Sequence, residues 1–163
     1  MADQSPTPAH ATFVLERAFN QPVARVFSLL AKTTSKRRWL LEDDGTTIDS
    51  FEMDFRVGGT ETARYSIRKG SPVDGLPFVN EGTYLDIVPD RRVVMAFSMS
   101  IGGRRISVTL ITFDLVPSGA GTTLTLIHQG LYFESSGGPE MRELGWNTLM
   151  DRLVNASESE LQS

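Results

Sequence analysis

The sequence predicts an α+β fold: a curved antiparallel sheet of about seven strands wrapped around one long C-terminal helix, with two short helices after the first strand. Three observations predict it. Apolar residues recur with a period of two through most of Ile48 to Gly130, in short runs separated by glycine- and proline-rich turns. Helical spacing appears in two places, just after Phe19 and at the end of the chain. The terminal segment Gly138 to Ala156 is apolar along one wide stripe, and the strands are the only large apolar surface that can receive it.

In chain order, Met1 to Ala11 is polar and contains proline, and it reads as a flexible tail ahead of a single domain over 12–160. Thr12 to Phe19 alternates as a first strand, with Phe13, Leu15, Arg17 and Phe19 on one face. Asn20 is placed to cap the helix that follows, with Pro22 in its first turn and Val23, Val26, Phe27 and Leu30 on its apolar side. A second short helix, capped by Thr33 or Thr34, runs through Trp39 and ends at the loop Glu42-Asp43-Asp44-Gly45. Phe51, Met53 and Phe55 then alternate with polar residues before the turn at Gly58-Gly59, and Glu61 to Arg68 returns. Val79 to Val88 is stopped by Pro89-Asp90; Val93, Met95, Phe97 and Met99 lead to the hairpin signal Gly102-Gly103. From Arg105 the apolar residues switch phase between Leu110 and Ile111, which predicts a bulge and a bend there. Leu124, Leu126 and His128 share a face of the last strand. In the terminal helix Pro139 suits the first turn, Glu140 and Glu143 complement the dipole, and the stripe is Gly145, Trp146, Leu149, Met150, Leu153 and Ala156. Glu140, Asn147, Asp151 and Glu158 lie opposite, and Leu144 and Val154 fall off the stripe.

Composition narrows the function classes. A chain of 163 residues with 40% hydrophobic and 22% charged residues supports one domain with a real core. A net charge of −4 and a pI near 5.2 argue against nucleic acid or an anionic membrane surface as partner. The basic clusters Lys36-Arg37-Arg38, Arg91-Arg92 and Arg104-Arg105 are short and read as solvated surface. With no cysteine, disulfides, thiolate zinc sites and cysteine nucleophiles are excluded together. No apolar run approaches the about 20 residues needed to span a bilayer, and the N-terminus is not a secretory signal, so a cytoplasmic protein is expected.

Strand, two small helices, six strands and a long terminal helix together resemble the helix-grip fold of the START-like (SRPBCC) superfamily. Within it the chain is similar to domains of the activator of Hsp90 ATPase homologue 1-like (AHSA1-like) family. The residues that carry the resemblance are Arg17-Ala18-Phe19-Asn20-Gln21-Pro22 leading into Val26-Phe27, then Arg38-Trp39, Asp54-Phe55-Arg56-Val57-Gly58-Gly59, and Gly82-Thr83-Tyr84 through Val88-Pro89 to Arg92-Val93. Gly121-Thr122-Thr123-Leu124-Thr125-Leu126-Ile127-His128 and Gly145-Trp146 complete it. The family often has Trp where Phe27 stands and a second aromatic where Leu40 follows Trp39, so these two departures bear on the shape of a pocket. The resemblance implies a pocket between helix and sheet, in a family that mixes ligand binders with a cochaperone domain.

Candidates for that pocket are Trp39, Phe51, Tyr65, Glu81, Tyr84, Met95, Phe97, His128, Trp146, Leu149, Met150 and Leu153. His128 either moves protons and orients a ligand or is a hydrogen-bonded core residue. Glu81, on the phase of Leu85 and Ile87, either points inward as an acid or base, or pairs with Arg64 or Arg56 near a sheet edge. Asp54 to Gly59 reads as a structural turn rather than a phosphate loop, since no Gly-x-x-x-x-Gly-Lys pattern occurs. There is no nucleophile elbow and no metal-ligand spacing, so neither cofactor nor metal is expected. The expected function is binding of a small hydrophobic molecule or lipid, as carrier or sensor. The alternatives are a cochaperone-like interaction module with a chaperone partner, and a cyclase, dehydratase or hydrolase using His128, Glu81 or a tyrosine. A homodimer is expected from the sheet edges and off-stripe apolar residues.

Overall fold

In the computed structural model of the protein, residues 7–134 and 136–159 are described. The chain runs β1 (Ala9–Phe19), α1 (Val23–Ala31), α2 (Thr33–Leu41), β2 (Thr46–Met53), β3 (Thr60–Ile67), β4 (Phe78–Val88), β5 (Arg92–Ile101), β6 (Arg104–Ser118), β7 (Gly121–Tyr132) and α3 (Gly138–Ser159). All seven strands form one antiparallel sheet in the order β1-β7-β6-β5-β4-β3-β2. From β2 to β7 each strand pairs with the next, and β1 returns to the far edge beside β7. The helices cover one face: α3 lies against β1 and β7, with α1 and α2 beside it. This is the α+β helix-grip architecture that the sequence predicts.

The alternation of the strands sets the core. Phe13, Leu15 and Phe19 of β1, Val93 and Met95 of β5, Ile111, Phe113 and Leu115 of β6, and Leu124 and Leu126 of β7 are buried on the concave face. Met150 and Leu153 of α3 close over them, each fully buried. A fully buried side chain of this kind contributes about 1.5–3 kcal/mol. Register shifts in β2, β4 and β6 bend the sheet toward the helix.

Several local expectations are corrected. β1 reaches back to Ala9, three residues into the expected tail, because Ala9, His10 and Ala11 pair with Tyr132, Leu131 and Gly130; residues 1–6 lie outside the described residues. Pro22 occupies the N-cap of α1 rather than its first turn, and the Asn20 side chain donates to Glu158 instead of capping. Lys32, not Thr33 or Thr34, is the N-cap of α2, which continues past Trp39 to Leu41. The bulge in β6 falls at Ile106, where Met99 pairs with Ser107 but Ser100 with Arg105. Beyond it the buried phase runs Ser107, Thr109, Ile111, Phe113, Leu115, and Val108 faces outward. The two small hydroxyl residues hid that phase, because they are polar positions on an apolar face. On α3, Gly145 is exposed, whereas Asn147 and Asp151 turn toward β1, where both accept from the Arg17 guanidinium at 2.9 and 3.0 Å.

The turn after β2 behaves as expected. Gly58 takes φ +84°, and a Cβ on Gly59 would stand 2.0 Å from the Asp54 carbonyl oxygen, so both positions require glycine. Gly58 N–H donates to the Tyr84 carbonyl and Tyr84 N–H to that of Gly59, which ties this loop to the middle of β4.

Candidate functional site

Three rows of side chains cross the concave face. Tyr84, Met95, Ile111, His128 and Phe13 stand in one row; Gly82, Phe97, Thr109 and Gly130 in the next; Asn80, Met99, Ser107 and Tyr132 in the third. The middle row is low, since two of its four members carry no side chain. A Cβ on Gly82 would lie 2.6 Å from the Met95 methyl carbon. Above Gly82 a cavity of about 50 Å³ opens between the sheet and α3. Its walls are Leu40, Met95, Phe97, Ile111, Phe113 and Trp146, and its polar groups are Lys36, Glu61 and Asn80. By this measure one water needs about 10–15 Å³, so the space is small but real.

One end is a closed polar cluster. Lys36 is 3% exposed, and its ammonium donates to Glu61 Oε1 at 2.6 Å. The Tyr84 hydroxyl donates to the same carboxylate oxygen at 2.5 Å. The Lys36 Nζ also lies 3.4 Å from the Tyr84 hydroxyl and 3.9 Å from Met95 Sδ. Burial, then the charge and hydrogen bond of Glu61, push the Tyr84 phenol far above its ordinary range, so it stays protonated as a donor. Phe55, from the glycine turn, packs edge-on to the Tyr84 ring at 5.1 Å. Charge and hydrogen bonds both close here.

A second polar cluster, beside the cavity and outside its lining, is open in that sense. Arg142, one helical turn before Trp146 on α3, points at the third row. Its Nη2 donates to Ser107 Oγ at 2.7 Å and reaches Met99 Sδ at 3.5 Å, and the guanidinium sits 5.4 Å over the Tyr132 ring. Among the described residues no carboxylate makes an ion pair with it, and Nη1 is buried without a partner. Burial lowers the pKa of Arg142, with the nearby Tyr132 and Tyr65 opposing. Next to it His128 is fully buried, stacked on Phe13 at 4.4 Å, with Nδ1 3.5 Å from the Tyr132 hydroxyl. Burial, then the Arg142 charge, lower its pKa to about 3, so the ring is neutral at physiological pH. Its Nε2, Thr109 Oγ1 and Asn80 Oδ1 are likewise buried without a partner among the described residues.

Of the residues expected at the site, Met95, Phe97 and Trp146 line the cavity, and Tyr84 and His128 stand in the row beside it. Tyr65 is half-buried, stacked on Phe78, and its hydroxyl accepts from Asn80 at 3.3 Å. The rest stand outside its lining. Trp39 is locked between α1 and α2 by an indole N–H bond to the Leu29 carbonyl at 2.8 Å. Phe51 lies half-buried on the edge strand β2, and Leu149, Met150 and Leu153 pack into the core without lining the cavity. Glu81 faces outward, 3.8 Å from Arg64, because the inward phase of β4 is Asn80, Gly82 and Tyr84.

The polar members were missed, and the one local signal is their spacing from apolar residues, which does not by itself turn them inward. Glu61 is in phase with Ala63 and Tyr65; Lys36 is three residues before Trp39; Arg142 is four before Trp146. The hydroxyl that reaches the His128 ring is that of Tyr132, and among the described residues no cluster of three metal-ligating side chains forms.

Comparisons with known proteins agree with the architecture. The family model described as activator of Hsp90 ATPase homolog 1-like protein matches residues 20–158. Among solved structures, a protein from Rhizobium leguminosarum is 30% identical, with a TM-score of 0.84, covering 93% of this chain and 97% of that one. The Mll3558 protein from Rhizobium loti is 36% identical, with a TM-score of 0.81 and coverages of 93% and 99%. An AHSA1-like protein from Aeromonas hydrophila shares the fold at 16% identity and a TM-score of 0.66, covering 94% of this chain and 96% of that one. No curated protein matches the chain. Among the described residues no helix is long and apolar enough to cross a membrane.

Proposed function

The chain belongs to the activator of Hsp90 ATPase homolog 1-like family, and on that footing we propose that it binds a small, largely apolar molecule between α3 and the sheet, as a carrier or sensor. The observation that carries this reading is the cavity above Gly82, with a mostly apolar lining and three polar side chains, Lys36, Glu61 and Asn80. Apolar walls supply affinity and a few placed polar groups supply orientation. At about 50 Å³ the space suits a small occupant, and a larger one enters as Met95 and Met99 change rotamer. Leu40 contributes here too: an aromatic side chain at that position would take up part of the same space.

Native mass spectrometry of freshly purified protein, against its denatured mass, tests the reading. A mass excess lost on denaturation is expected. Met95→Trp and Phe97→Trp, each filling the cavity, are expected to abolish uptake while circular dichroism shows a folded protein. Uptake that survives both changes defeats the proposal.

A second reading, a cochaperone-like interaction module, is supported by the outer face of the sheet. There Val14, Val108 and Leu131 are 57%, 39% and 44% exposed on β1, β6 and β7. Leu131→Glu is expected to break any self-association or chaperone capture made through that face without affecting small-molecule uptake. Capture that is unchanged in this variant counts against the second reading.

A further inference from the structure

Resting on the reading of the cavity as a binding site, we propose that its ligand is a carboxylate with a short apolar tail, the carboxylate held by Arg142. A guanidinium taken out of water without a counter-charge is costly, and natural proteins pair such groups. Lys36, in the lining of the cavity, is paired with Glu61; Arg142, beside the cavity, has only a hydroxyl, a thioether and an aromatic face. Donors stand unmatched around it, beside the acceptor Asn80 Oδ1. Arg142 Nη1 and Thr109 Oγ1 both carry protons with no acceptor among the described residues. His128 Nε2 also lacks a partner, and it is a third donor in the tautomer in which the Tyr132 hydroxyl donates to Nδ1.

The sheet register brings these groups together. Ser107, which Arg142 touches, is opposite Tyr132; Thr109 is opposite Gly130; His128 is two residues further along β7. Asn80, opposite Met99, joins this cluster to the cavity, which it also lines. A carboxylate fits this set of donors: two oxygens in one plane match the guanidinium fork, and the remaining lone pairs accept from hydroxyl and imidazole. The ligand is thereby oriented, its charge at Arg142 and its tail along Phe97, Trp146 and Phe113 toward the closed Lys36–Glu61 end.

The test compares hexanoate with hexanol, and benzoate with methyl benzoate, by isothermal titration calorimetry on the full chain. Each carboxylate is expected to bind roughly 10- to 100-fold more tightly than its neutral counterpart. Arg142→Met should lower hexanoate affinity by the same factor and leave hexanol unchanged, with Arg142→Lys intermediate; a thermal melt of each variant verifies folding. Equal binding of hexanoate and hexanol, or hexanoate binding indifferent to Arg142→Met, overturns the carboxylate assignment while the cavity reading stands. Failure of all four probes together with an unaltered native mass overturns the cavity reading, and this inference with it.

Discussion

Lys36 lines the cavity and Arg142 stands beside it, on the Met99 that pairs with Asn80, and the two are treated in opposite ways. Lys36 is held at 2.6 Å by a carboxylate that a tyrosine hydroxyl also satisfies, on three elements, α2, β3 and β4, that the fold clamps together. Arg142 stands on one element and spends its charge on neutral groups. The first is a finished network, in which removing any member strands the others. The second is an unfinished one, with donors left over. A protein that only needed to hold its helix to its sheet would lose little by an apolar residue at position 142, so the contrast is what the proposed site has to explain.

The largest expected effect comes from breaking the finished end. Lys36→Met leaves the Glu61 carboxylate buried with only Tyr84 as a donor, and a loss of about 3–5 kcal/mol in urea unfolding is expected. The double variant Lys36→Met with Glu61→Leu should recover most of it, because a well-packed apolar pair replaces the ion pair at little net cost. A single variant as stable as the native protein would remove the distinction between the two ends.

A middle-sized effect lies in pH. The pKa of His128 is lowered from 6.5 to about 3, by burial first and then by Arg142. As pH falls, the unfolded chain takes up this proton before the folded one does. The contribution is therefore full above about 6.5 and is lost progressively toward about 3. Between about pH 7 and about pH 5 the loss is on the order of 2 kcal/mol, and His128→Gln should flatten that part of the stability profile. A profile of unchanged slope in the variant would mean that the imidazole is far less isolated from water than its burial indicates.

The same contrast accounts for what the sequence made legible. Strand order, the two short helices and the closing helix follow from apolar periodicity, which burial enforces residue by residue, as with Met95 and Phe97 or Leu124 and Leu126. The polar end groups follow no such rule. Lys36 reads as part of a basic surface run until α2 is seen to turn it inward beside Trp39, and Ser107 and Thr109 look like outward positions until the bulge at Ile106 is known. Glu81 shows the converse: its apolar phase left an inward position open beside pairing with an arginine, but Leu85, on whose phase it lies, is itself 51% exposed, and Glu81 lies 3.8 Å from Arg64. Polar residues inside a core are specified by partners from distant elements, and those partners are set by register and helix rotation rather than by local pattern.

The smallest expected effect is the sharpest for the comparison. Arg142→Met gives up one hydrogen bond to Ser107 and the stacking on Tyr132, worth about 1–2 kcal/mol together, but also relieves the desolvation of an unpaired charge. The two terms oppose each other, so a stability within about 1 kcal/mol of the native protein is expected, or a gain. Leu, similar in volume but stiffer, should behave alike, while Arg142→Glu should be clearly destabilised by burying a charge among aromatic rings. If Arg142→Met instead costs as much as Lys36→Met, both cations are scaffold and the asymmetry disappears. If it is neutral in stability, what holds an arginine at that position is not the fold, and the donors gathered around it are there for something that enters from outside.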